Sequence, residues 1–184
     1  MELVASLDLT CRALLGAVFL AALGEKLRSR RAFAELVESL RELAVLPAPV
    51  WIGVGASLAA LEAAVVALLA AAPAAGFALA LALLASFVWV LARALRRGSR
   101  VRCRCFGATG GILGREHVAR DAALALVAAA GLAAQSATPG AGAPAAVLLA
   151  AGGTGALAGL LVARWDDLAY LLGRRPATEG RWRS

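Results

Sequence analysis

Charge and aromatic rings are both scarce in this chain of 184 residues, at 17% and 5%. A soluble domain carries about 25% charge and about 45–50% apolar residues. Here 61% of the residues are hydrophobic and the mean hydropathy is +0.79. A water-soluble monomer of this size could not bury so much apolar surface. Intrinsic disorder needs a polar, highly charged chain and is excluded by the same figures. The shortage of aromatics argues against a sheet-rich barrel. Three cysteines are too few for a disulfide scaffold, and an odd number leaves at least one unpaired. Met1-Glu2-Leu3-Val4 has no basic character, so the first apolar stretch reads as a retained helix, not a signal peptide.

What is present is apolar sequence in lengths that match a bilayer, whose core takes about 20 residues of helix. Five spans are expected, at about 7–27, 46–72, 74–95, 118–134 and 145–163. Between the first two, Phe33, Leu36, Val37, Leu40 and Leu43 recur at helical spacing opposite Arg30, Arg31, Glu35, Glu38, Arg41 and Glu42. That pattern predicts an amphipathic helix over about 29–45, lying in the membrane interface. The fold class is therefore an all-α integral membrane bundle of five spans plus one interfacial helix. Residues 1–135 are expected to form a four-helix membrane domain, and 136–184 the fifth span with a basic tail.

The net charge of +7 could suggest nucleic acid, but its placement decides otherwise. Every basic residue except Arg12 falls in, or at the span ends bordering, the connections after spans one and three, or in the C-terminal tail. The connections after spans two and four have none. Such sorting orients a membrane protein with its N-terminus outside and its C-terminus in the cytoplasm. No stacking aromatics are interleaved with the arginines, so nucleic acid is not an expected partner, and the lipid bilayer is.

The densest chemistry is Cys103-Arg104-Cys105-Phe106-Gly107, within the 96–116 connection. Two thiols one residue apart close a small, strained ring that is readily reduced, which suits exchange better than stapling. Arg102 and Arg104 favour the reactive thiolate. The alternative is a reduced pair in a cytosolic loop. Cys103, Cys105, Cys11 and His117 can be counted as four metal ligands, but the usual two-residue gap is missing and no metal is assigned. Cys11 reads as a small apolar residue between helices.

Glu62 interrupts the second span, where a carboxylate is costly unless paired or facing a polar cavity. Its place in the outer half suggests a buried Arg12–Glu62 pair, or else a proton or ligand site in the bundle. Glu25 and Lys26 read as interfacial anchors at the end of span one, as do Trp51, Trp89 and Trp165 near span ends. His117, alone at a helix start, carries no assigned role. Gly152, Gly153, Gly155 and Gly159 would let the last span pack closely.

These residues resemble a known family. Arg12-Ala13-Leu14-Leu15-Gly16-Ala17-Val18-Phe19, then Gly24-Glu25-Lys26-Leu27 and the amphipathic stretch ending near Pro47, are similar to the first half of MauE-type membrane proteins, within the broader DoxX-like group. Glu62 falls where that family carries a glutamate, and Cys103-Arg104-Cys105-Phe106-Gly107 matches its Cys-x-Cys-Phe-Gly signature, followed by a span opening with Arg120. The resemblance covers about residues 9–135. It implies a bacterial cytoplasmic-membrane protein that supports maturation of the methylamine dehydrogenase small subunit, a disulfide-rich partner. On that footing Cys103 and Cys105 are the candidate redox pair, and Glu62, Arg12, Glu25 and Lys26 the ionisable residues of interest. The DoxX-like relatives, linked to quinone-coupled sulfur oxidation and to thiol homeostasis, make a quinone or another thiol system the candidate redox counterpart. Two other functions remain open: a scaffold that recruits a cytosolic partner through its arginines, and a transporter of a small solute or soft metal ion.

Overall fold

The structure is a computed structural model that describes residues 2–43, 50–98, 114–137 and 144–164. Among these residues it is entirely helical: α1 (Glu2–Leu27), α2 (Arg30–Leu43), α3 (Val50–Ala71), α4 (Pro73–Arg96), α5 (Arg115–Ala137) and α6 (Ala145–Ala163). All but α2 are long and apolar enough to cross a membrane. The chain is a multi-pass, all-α membrane bundle, as the sequence indicates. α1 and α5 run longer than the apolar windows suggest. α1 begins at Glu2 because Leu3, Val4 and Ala5 extend it and an acidic residue suits the first turn. α5 gains a turn before Val118 for a different reason: its first turn carries a buried histidine.

α2 is the amphipathic segment, and Ser29 caps it, accepting a hydrogen bond from the Ala32 amide (3.1 Å). Its Leu36 is fully buried, and Phe33 and Val37 press on Gly55 of α3, where an added Cβ would lie 3.2 Å from Val37. Pro73 opens α4 directly after Ala71 and Ala72, where the lost amide costs nothing. The resulting α3–α4 hairpin is so tight that a side chain at Gly76 would overlap the backbone of Leu68 and Leu69.

α1 is the central helix. Leu15, Val18 and Phe19 are almost fully buried, and α3, α5 and α6 all pack on it. α6 runs parallel to α1: a Cβ on Gly155 would overlap the Thr10 carbonyl, and one on Gly159 the Leu14 carbonyl. Two glycines four apart thus lay one helix backbone on another, the small-residue contact by which spans associate in lipid. Gly152 and Gly153 have room around them and take no part in it. Trp51, expected at the interface, is instead buried on the packed face of α3. Trp89 is 63% exposed with the Arg93 guanidinium 5.5 Å from its ring, as an interfacial anchor should be. Trp165 lies outside the described residues.

Replacing Gly159 with leucine should push α6 off α1 and cost about 1–3 kcal/mol of stability, the usual penalty of overpacking. The same change at Gly153 should cost little. Thermal unfolding of both variants in detergent, side by side, measures the difference.

Candidate functional site

Helix order sets which ends meet. The C-terminal ends of α1, α4 and α6 share one end of the bundle with the N-terminal ends of α3 and α5. Every described Lys and Arg except Arg12 belongs to this basic end or to α2 beside it. The buried charged side chains are on the same helices, and most are near the same end.

Lys26 and Glu62 form the most enclosed of these contacts. Lys26 Nζ donates to Glu62 Oε1 at 2.7 Å, with the two side chains 3% and 0% exposed. The expected pairing of Glu62 with Arg12 is therefore overturned. Arg12 is engaged elsewhere: its Nε donates to the Leu69 carbonyl (2.9 Å) and its Nη2 to the Ala70 carbonyl (3.3 Å). These belong to the last turn of α3, whose carbonyls have no helical partners and favour a cation. Asp8 Oδ2, 3.7 Å away, completes the Arg12 cluster.

Geometry explains the partner of Glu62. The Arg12–Leu69 contact fixes the antiparallel register of α1 against α3, and carries the level of Lys26 to about Gly55. Glu62 is then seven residues, roughly 10 Å, deeper. Helical side chains lean towards their own N-terminus. For Lys26 that direction leads into the bundle, and for Glu62 it leads towards the basic end. Two long side chains therefore converge across a gap that backbone levels alone would leave open. Lys26, expected as an interfacial anchor, continues the buried stripe Val18–Ala22–Lys26. Glu25, one position round, stays at the rim as expected, 3.8 Å from Arg28 and 3.9 Å from Arg164.

One oxygen of the pair is left over. No donor among the described residues lies within hydrogen-bond distance of Glu62 Oε2, although the atom is buried.

α5 contributes a second polar group. His117 and Asp121 are 5% and 0% exposed. The Gly114 amide donates to His117 Nδ1 (3.3 Å). Arg120 Nε donates to Asp121 Oδ1 at 3.2 Å. Asp121 was not singled out from the sequence, yet a signal was there. His117, Asp121, Leu124, Ala128 and Gly131 recur at steps of three and four, so the two polar residues sit on the packed face of the span.

Cys11 is buried in the hydrophobic core, as expected of a packing residue. It stands in the half of α1 away from the basic end, whereas His117 is in the first turn of α5 at that end, so no single site holds both. Cys103 and Cys105 lie outside the described residues. The connection that carries them leaves α4 at Arg96 and enters α5 at Arg115, both at the basic end.

Replacing Lys26 with methionine strands a buried carboxylate and should cost about 3–5 kcal/mol. Replacing Arg12 with methionine removes hydrogen bonds to carbonyls and should cost about 1–3 kcal/mol. Unfolding of the two variants in the same detergent gives the order directly.

No curated protein and no solved structure matches the chain. A family does: the match to methylamine utilisation protein MauE spans residues 4–134, from α1 through most of α5, with α6 beyond it. The chain belongs to the MauE family.

Proposed function

We propose that this protein serves methylamine utilisation as a membrane thiol–disulfide exchanger, with Cys103 and Cys105 as the exchanging pair. The observation that carries the proposal is the rooting of the Cys-x-Cys connection. Both of its ends, Arg96 and Arg115, emerge at the end of the bundle where Lys26 and His117 are buried and the cationic residues gather. That end is the cytoplasmic one by the distribution of basic residues, with the N-terminus outside.

The exchange step balances between the two proteins alone. A thiolate of the partner protein attacks one sulfur of the Cys103–Cys105 disulfide, the bond between the two breaks, and the other sulfur leaves as thiolate. A second partner thiolate then attacks the mixed disulfide. The partner gains a disulfide, and two electrons and two protons pass to Cys103 and Cys105. Arg102 and Arg104 stabilise the leaving thiolate. Restoring the disulfide requires a two-electron, two-proton acceptor, for which a quinone dissolved in the bilayer has the right chemistry. Glu62 Oε2, buried without a donor, is suited to hold a proton in transit. Lys26 keeps that carboxylate in place, and the cap of Arg12 on α3 holds the register that brings the two together.

Serine at both Cys103 and Cys105 should abolish formation of the partner's disulfides while leaving the bundle's unfolding unchanged. Partner oxidation followed by thiol alkylation and mass shift is the readout. Unchanged oxidation in the double variant would contradict the exchange. Maleimide labelling of Cys103 and Cys105 should require permeabilised cells and prior reduction; labelling in intact cells would reverse the orientation.

A further inference from the structure

We infer that the cleft between the end of α4 and the start of α5 is a binding site for an anionic phospholipid of the cytoplasmic leaflet. The cleft encloses about 490 Å³. Its apolar lining is Ala92, Leu95, Val118, Ala119 and Ala122, three of them small alanines. Arg96 of α4 and Arg115 of α5 complete its lining.

The charges are what distinguish this cleft. Most arginines at the basic end are already engaged. Arg28 and Arg164 approach Glu25, Arg31 pairs with Glu35, Arg41 with Glu38 and Arg120 with Asp121. Arg93 covers Trp89. Arg96 and Arg115 are exposed and have no carboxylate among the described residues, and Arg97 adds a charge one position on. Glu116, next in the chain to Arg115, lies 3.7 Å from His117 Nδ1.

The depth is right for a phosphate. Trp89 is an exposed interfacial anchor, and Arg96 lies two turns beyond it towards the aqueous side. The N-terminal end of the α5 dipole adds positive potential beside Arg115. Two guanidinium forks suit a phosphodiester, while the alanine-lined cleft suits the first part of an acyl chain. A soluble phosphate would use the arginines and leave the apolar lining uncovered, so the occupant is a lipid. Bound there, it would bridge α4 to α5 at the two roots of the Cys103–Cys105 connection.

The test is native mass spectrometry of the full chain released from phosphatidylglycerol nanodiscs, with phosphatidylcholine nanodiscs as reference. The wild type should retain phosphatidylglycerol and not phosphatidylcholine, and millimolar inorganic phosphate should not displace it. R96Q/R115Q should lower retention roughly thirtyfold, the effect of two interfacial cationic contacts. A119L/A122L keeps both charges but fills the cleft and should also lose the lipid. Cys11, buried in the core, should stay unlabelled in both variants, which reports that the bundle remains folded. Equal retention in the two double variants and wild type overturns the site. So does a loss on R30Q/R31Q as large as that on R96Q/R115Q, which would mean diffuse attraction.

Discussion

A charged side chain inside hydrocarbon must find its counter-charge, and the bundle is arranged around one such requirement. Glu62 sits near the middle of α3 with no exposed surface. An isolated carboxylate there would cost several kcal/mol, whatever scale is used. Lys26 meets it at 2.7 Å, and this fixes three things together. α1 and α3 must keep an antiparallel register, Lys26 must leave the interface it would otherwise occupy, and the ends of both helices must stay close. α2 is then held across that junction by Leu36 and by Phe33 and Val37 against Gly55. Arg12 fixes the other end of the same contact by capping the last turn of α3. A helix pair is pinned at two levels by two cations, each doing a different job.

With α1 and α3 fixed, the remaining helices close around α1 through small residues. Gly155 and Gly159 seat α6, and Gly131 of α5 leaves room for Phe77 of α4, whose ring an added Cβ would overlap. Burial in lipid supplies no net hydrophobic gain between spans, so close backbone approach is the main source of cohesion. The consequence for function is positional. Five helix ends converge at one end of the bundle, with the buried polar residues of α5 among them, and the Cys103–Cys105 connection starts and finishes there.

Much of this was legible in the sequence, though unevenly. The five spans and the amphipathic helix follow from apolar run length and periodicity, which need no knowledge of neighbours. The partner of Glu62 was not legible, because depth counted along the backbone favours Arg12. That count ignores the lean of helical side chains, which carries Lys26 inward and Glu62 outward along opposite helices. The stripe Val18–Ala22–Lys26 held the information, as did His117–Asp121 on α5, but a position near a span end invites an interfacial reading. Arg12 eluded prediction for another reason: its acceptors are backbone carbonyls, which leave no mark in side-chain patterns. The cysteine motif and family likeness, by contrast, are local in sequence and were readable at once.

The most direct measurement is a pair of double-mutant cycles in one detergent, Lys26→Met with Glu62→Leu and Arg12→Met with Glu62→Leu. The structure predicts a coupling energy of about 2 kcal/mol or more for the first cycle, as expected for groups in contact. For the second it predicts about 0.5 kcal/mol or less, as for sites with no shared partner. Coupling concentrated in the Arg12 cycle, with none between Lys26 and Glu62, would contradict the account.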